Sequence, residues 1–199
     1  MNETYKVQVQ DLVDDLKAVF THAGLGGEAG EYKLLTQSFL YKFLNDKFLY
    51  QANVLDESNT YENLPAMSEE DYDWLLEDIG TSTAWLKPDQ LIETLHRQQN
   101  EPTFYETFEN TLNQIAIDNN DIFSVHTDGD TAIRLFDERL ITDTISDSSK
   151  RNEVAKAIIN LLARVKFDET IFSQGFDFFS TLFEYMIKDY NKDGGGKYA

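Results

Sequence analysis

The longest unbroken apolar pattern in the chain runs from Glu31 to Gln51, EYKLLTQSFLYKFLNDKFLYQ, and predicts a central, buried helix. Leu34, Leu35, Phe39, Leu40, Tyr41, Phe43, Leu44, Phe48 and Leu49 wrap most of the way round it, leaving a polar stripe through Ser38, Lys42, Asn45 and Asp46. One neighbour cannot cover so wide a surface, so several helices are expected to pack on it. At about 1.5 Å per residue the helix spans roughly 30 Å, enough to run through a small domain.

The rest of the pattern is also helical. Val9, Leu12, Val13, Leu16, Val19 and Phe20 recur at spacings of three and four over residues 5–23, which predicts an amphipathic helix stopped by Gly24, with GLGGEAG as a flexible turn into the central helix. VLDESNTYENLPAM reads as a loop. Ser68, followed three residues on by Asp71, is a capping signature for a short helix expected to bury Trp74, Leu75 and Ile79 and to end at Gly80. Pro88 and Pro102 suit first helical positions, where a missing amide hydrogen costs nothing, and open helices over 88–98 and 103–117. The first places Leu91, Ile92 and Leu95 on one side; the second places Phe104, Phe108, Leu112 and Ile115.

NNDIFSVHTDGDT breaks the period and leaves Ile122–Val125 open to either a short strand or a loop. Residues 132–145 read as mixed helix and loop. Ser148 or Ser149 then caps a helix with Val154, Ala157, Ile158, Leu161, Leu162 and Val165 inward, and a last helix over about 175–191 carries Phe179, Leu182, Phe183, Met186, Ile187 and Tyr190. There is no internal repeat. The expected fold is mainly α, one multi-helix domain with few or no strands.

Composition narrows this. The 199 residues are ample for one domain with a real core, and 41% hydrophobic with 13% aromatic residues is too rich in core formers for a disordered chain. Zero cysteines exclude disulfides, thiolate metal sites and thiol nucleophiles. MNETYKVQVQ has no apolar signal-peptide core, so the cytoplasm is the expected compartment, and Lys33, Lys42, Asp46 and Lys47 keep the central helix from being a membrane span. The formal net charge of −19 opposes unassisted binding to nucleic acid. Much of it comes from Asp56, Glu57, Glu62, Glu69, Glu70, Asp71, Asp73, Glu77 and Asp78, in a stretch from Phe48 to Leu86 without one Lys or Arg. Such a run is ordinarily a solvated face; a surface for a basic partner is the sharper alternative.

Candidate chemistry is sparse. Gly24, Gly26 and Ala29 match a loose dinucleotide fingerprint, but that motif needs a preceding strand and a helix precedes it here. Asp189, Asn191, Asp193 and Gly194 open a calcium-loop pattern that lacks its bidentate twelfth-position Glu. His22, His96 and His126 lie far apart, outside any ligand spacing, and no G-x-S-x-G or phosphate loop occurs. No catalytic, cofactor-binding or metal residue is therefore expected in this segment.

Four stretches carry a resemblance. EYKLLTQSFLYKFLNDKF, residues 31–48, resembles the N-terminal helical domain of the modification subunit of type I restriction-modification DNA methyltransferases, where an E-Y-K-like start leads to a K-Y-L-S-D-x-F-like phrase. LFDERL, 135–140, and the helix before KFDE, 166–169, follow in that family's order and spacing. FDFFSTLFEYMIKDYNKDGGGKYA is similar to the helix and glycine-rich link that lead, in the family, to a Y-T-P phrase and the S-adenosylmethionine-binding domain. Ser180 and Phe183 stand where the family often has Gly and Tyr. The resemblance implies a helical N-terminal domain over 1–191 and a link over 192–199 to a catalytic domain. The family's glycine-rich cofactor loop and N-P-P-F/Y adenine motif do not occur in these residues.

By that resemblance the complete protein transfers a methyl group from S-adenosylmethionine to the exocyclic amine of adenine, and this segment is non-catalytic. Its implied partners are its own catalytic domain, the specificity subunit, a second modification subunit, and DNA through the assembled complex, with no membrane. The alternative, drawn from the charge, is an acidic DNA mimic or protein-interaction module.

Overall fold

Every regular element among the described residues, 3–123 and 135–173 of this computed structural model, is helical. α1 (Glu3–His22) lays Val9, Leu12, Val13, Leu16 and Phe20 inward as their spacing predicts, and stops where Gly24 takes a φ of 91°. The turn that follows is held at both ends: Leu25 is buried, and the Gly27 amide donates to the Glu31 carboxylate at 2.6 Å. That bond ties the turn to the first turn of α2 (Ala29–Leu55). Then come α3 (Glu69–Ile79), α4 (Ile92–Gln98), α5 (Phe104–Asp118), α6 (Asn120–Phe123), α7 (Leu140–Thr144), α8 (Arg151–Arg164) and α9 (Glu169–Ser173).

α2 is the axis of the fold, with α1, α3, α7, α8 and α9 packed around it. The aromatic residue Phe172 of α9 lies 5.9 Å from Phe43 and stacks on Tyr50 at 5.4 Å, so the last described helix docks on the outer flank of α2. α8 is a second axis, touching α1, α4, α5 and α7 as well. Its buried face, Val154, Ala155, Ile158, Ile159 and Leu162, is rotated from the predicted stripe, so that Ala157, Leu161 and Val165, expected inward, are only partly covered.

Several expectations are corrected. The polar stripe on α2 faces the interior: Ser38, Lys42 and Asn45 are at most 1% exposed and Asp46 is 7%. Trp74 points to solvent, because Tyr72, Leu75, Leu76 and Ile79 set the buried phase of α3 and place residue 74 on the far side. Pro88 opens a single 3-10 turn, Pro88–Gln90, and α4 begins only after Leu91; Pro102 precedes the cap Thr103 and does not itself enter α5. Asp147, not Ser148 or Ser149, caps the turn into α8: its carboxylate accepts from the Ser149 amide at 3.0 Å and from the Ser149 hydroxyl at 2.6 Å. Ile122 belongs to α6 and so not to a strand.

The Ser68 cap is as expected, with Oγ accepting from the Asp71 amide at 3.1 Å, and Gly80 ends α3 at a φ of 67°. The predicted helix over 175–191, the link over 192–199 and the 189–194 calcium-like pattern lie outside the described residues.

Candidate functional site

Halfway along α2, the inward polar residues form a junction rather than a stripe. Lys42 Nζ lies 2.9 Å from Asp46 Oδ2, and the same oxygen accepts from the Phe167 amide at 2.9 Å. Asp46 Oδ1 accepts from the Asn45 side-chain amide, whose own oxygen takes the Ile92 amide at 2.9 Å. Thus little more than one turn of one helix, Lys42 to Asp46, holds the start of α4 and the segment between α8 and α9. The Lys42 ammonium also sits 5.7 Å from the Phe167 ring centroid, a cation over an aromatic face. Nearby, the buried Tyr41 hydroxyl donates to the Gln90 carbonyl at 2.6 Å; burial, with the charges of Glu93 and Asp89, holds it protonated far above the ordinary tyrosine range.

The N-terminal half of α2 is joined in the same manner to the 135–140 segment. Lys33 pairs with Asp137 at 3.0 Å, and the Asp137 amide donates to the Gln37 side chain at 2.9 Å. Asp168 in turn accepts from the Tyr5 hydroxyl, which fastens α1 to the 166–169 segment. Two of the segments singled out in the sequence, 135–140 and 166–169, are therefore each joined to 31–48 through specific polar contacts on one helix.

Beside this junction opens a groove of about 590 Å³ between the C-terminal half of α2, the 59–62 loop and residues 166–169. Tyr50, Tyr61 and Phe167 form its aromatic walls, Leu49 and Val54 its apolar side, and Glu62, Glu93, Asp168 and Glu169 make it acidic. Lys166 is its cation, with Nζ 5.0 Å from the Tyr61 ring centroid. On the far side of Tyr61 and Lys166 a hollow of about 360 Å³ continues to His96, Arg97 and Asn160. Glu93 stands between the two. Burial pushes its carboxyl above the ordinary value of 4.5, against the pull of its own backbone amide and of Lys42, and its Oε2 is out of solvent with no hydrogen-bond partner among the described residues.

The residues weighed for chemistry do not converge. His96 exchanges a hydrogen bond with Asn160 Oδ1 at 2.9 Å, His22 lines a separate hollow between α1 and α8, and His126 lies outside the described residues. Among the described residues no three His, Asp or Glu side chains are placed to hold a metal. Gly24, Gly26 and Ala29 connect two helices, so the strand that a dinucleotide loop needs is not there. The nine acids between Asp56 and Asp78 are all exposed. What sequence reasoning missed was Glu93 and the inward direction of the Lys42–Asp46 pair, because in both cases the burial is set by elements distant in sequence. No helix among the described residues is long and apolar enough to cross a membrane.

No family model, no curated protein and no solved structure matches this chain.

Proposed function

We propose that the chain is the helical N-terminal domain of the modification subunit of a type I restriction-modification DNA adenine methyltransferase. In this reading it assembles with the catalytic domain, the specificity subunit and a second modification subunit, and helps to close the complex around DNA. S-adenosylmethionine and the methyl transfer belong to the catalytic domain.

The observation that carries this reading is that the resembling phrase on α2 meets residues of two of the other stretches quoted for it. Residues 31–48, 135–140 and 166–169 are separated by long stretches of sequence, yet Lys33 and Gln37 hold Asp137, while Lys42 and Asp46 hold Phe167. These contacts support the reading by making α2 the common anchor of both segments. A helical scaffold with an open, acidic groove and no convergent nucleophile and base among its described residues suits assembly better than chemistry.

The test is co-expression with the catalytic domain and specificity subunit encoded beside this chain. A complex that survives size-exclusion chromatography is expected. Separate elution of all three, or a neighbourhood encoding neither partner, would sink the reading. The DNA-mimic alternative has one observation in its favour, the exposure of all nine acids between Asp56 and Asp78, and is tested against this reading below.

A further inference from the structure

Glu70, Asp73, Trp74 and Glu77 stand at the i, i+3, i+4, i+7 spacing of a single helical stripe, and on α3 that stripe faces solvent. Trp74 is 66% exposed at its centre. Its indole makes no hydrogen bond, ring contact or cation contact among the described residues. Trp85, by contrast, donates its Nε1–H to the Gly80 carbonyl at 2.7 Å. An indole left in water forgoes the apolar stabilisation of burial, and nothing in the described fold compensates for it.

The helix that presents it is fixed. Its opposite face is buried through Leu75, Leu76 and Ile79, the Tyr72 hydroxyl donates to the Leu86 carbonyl at 2.5 Å, and Ser68 and Gly80 close its ends. A partner would therefore meet a preorganised surface, with little ordering cost on this side.

We propose that this face of α3 docks an arginine-bearing basic segment of a partner protein, one guanidinium stacking on the Trp74 indole while its donors reach Glu70 or Glu77. Charge selects this occupant. The stretch from Phe48 to Leu86 supplies no cation, so DNA or an anionic lipid surface is repelled, and a second copy brings the same acidic face at a net charge of −19. Arginine fits better than lysine because its planar, weakly hydrated fork can stack on an indole and engage a carboxylate at once. This surface is separate from the groove and from the phrases above, and the proposal does not rest on the methyltransferase reading.

Two peptides of about twelve residues and equal charge, one with arginines and one with lysines on an alanine background, test it by calorimetry and tryptophan emission with the whole chain. The arginine peptide is expected to bind about fivefold tighter than the lysine peptide and to shift the emission. Trp74→Ala should erase that preference while leaving residual binding to both, and Glu70→Gln with Glu77→Gln should weaken both. Circular dichroism and melting confirm that each variant folds; Trp74→Ala spares the buried face of α3. Equal binding of the two peptides to wild type, a preference that survives Trp74→Ala, or emission unchanged at saturation would overturn the proposal. So would a dimer in sedimentation equilibrium that dissociates in Trp74→Ala, since it would assign the face to a second copy.

Discussion

Lys42 and Asp46 are both withdrawn from water, and two such charges persist inside a fold only when each is answered in full. Asp46 is answered three times, by Lys42, by the Phe167 amide and by the Asn45 amide, which makes it the least replaceable side chain of the junction. Asp46→Leu strands a buried ammonium, and urea unfolding should register a loss of about 3–5 kcal/mol. The double variant Lys42→Met, Asp46→Leu removes the stranded charge and should recover much of that loss. A double variant as unstable as the single one would mean that the backbone bond to Phe167, rather than the charge, dominates. Glu93 gives a second prediction at this scale. Its raised folded pKa means that the fold prefers it neutral, so the stability it contributes is full below about 4.5 and is lost as pH rises through the folded value. Glu93→Gln stays neutral throughout. Its stability relative to wild type should therefore grow as pH rises from about 4.5 toward 7, and a difference independent of pH would refute the assignment.

Among the elements, α7 is the one whose existence depends on another helix. Its five residues have no side-chain cap of their own, and Arg139 at its N-terminus supplies none. The cap comes from α5: buried Glu109 accepts from the Ile141 and Thr142 amides at 3.1 and 3.0 Å and from the Thr142 hydroxyl at 2.8 Å. A carboxylate at a helix start is favoured by the amides it faces. Glu109→Ala leaves those amides unsatisfied in the interior and should cost about 1–3 kcal/mol, with amide exchange accelerated first in 140–144. A cap that reaches across 32 positions of sequence could not be read from local pattern.

The helices that could be read were those whose own period settles their face, as α1 and α5 do. In α2 the apolar residues fixed the element but not its orientation. Nearly all of its surface is covered, so Lys42, Asn45 and Asp46 looked like an outlet to water when their partners were Ile92 and Phe167. Trp74 was a readable error: Tyr72, Leu75, Leu76 and Ile79 repeat at three and four, and residue 74 falls outside that series. The groove beside the junction was not legible at all, since its walls come from α2, a loop and the entry to α9.

At the scale of the whole molecule the charge is unevenly placed, and that separates the two readings of function. The acids of α3 and the loop before it are all exposed, while cations such as Lys33, Lys87 and Arg164 are tied to Asp137, Asp118 and Asp15. If the chain assembles within a methyltransferase, its contacts should be packed helical surface. Exposed charges are screened beyond about 10 Å at moderate salt, so such contacts should be indifferent to it. Replacing Glu69, Glu70, Asp71 and Asp73 by Gln or Asn should then leave capture of the catalytic domain and specificity subunit unchanged, at low and at high salt. A DNA mimic would behave oppositely, because its hold on a basic groove would depend on counter-ion release and would weaken steeply as salt rises, as phosphate contacts do. The measurement is a pull-down of the two subunits with wild type and the fourfold variant across a salt series, the fold of the variant being checked by circular dichroism. Capture that collapses in the variant and in salt would replace the assembly reading by the mimic; capture that persists through both would exclude the mimic and leave the acidic face of α3 to a different, arginine-bearing partner.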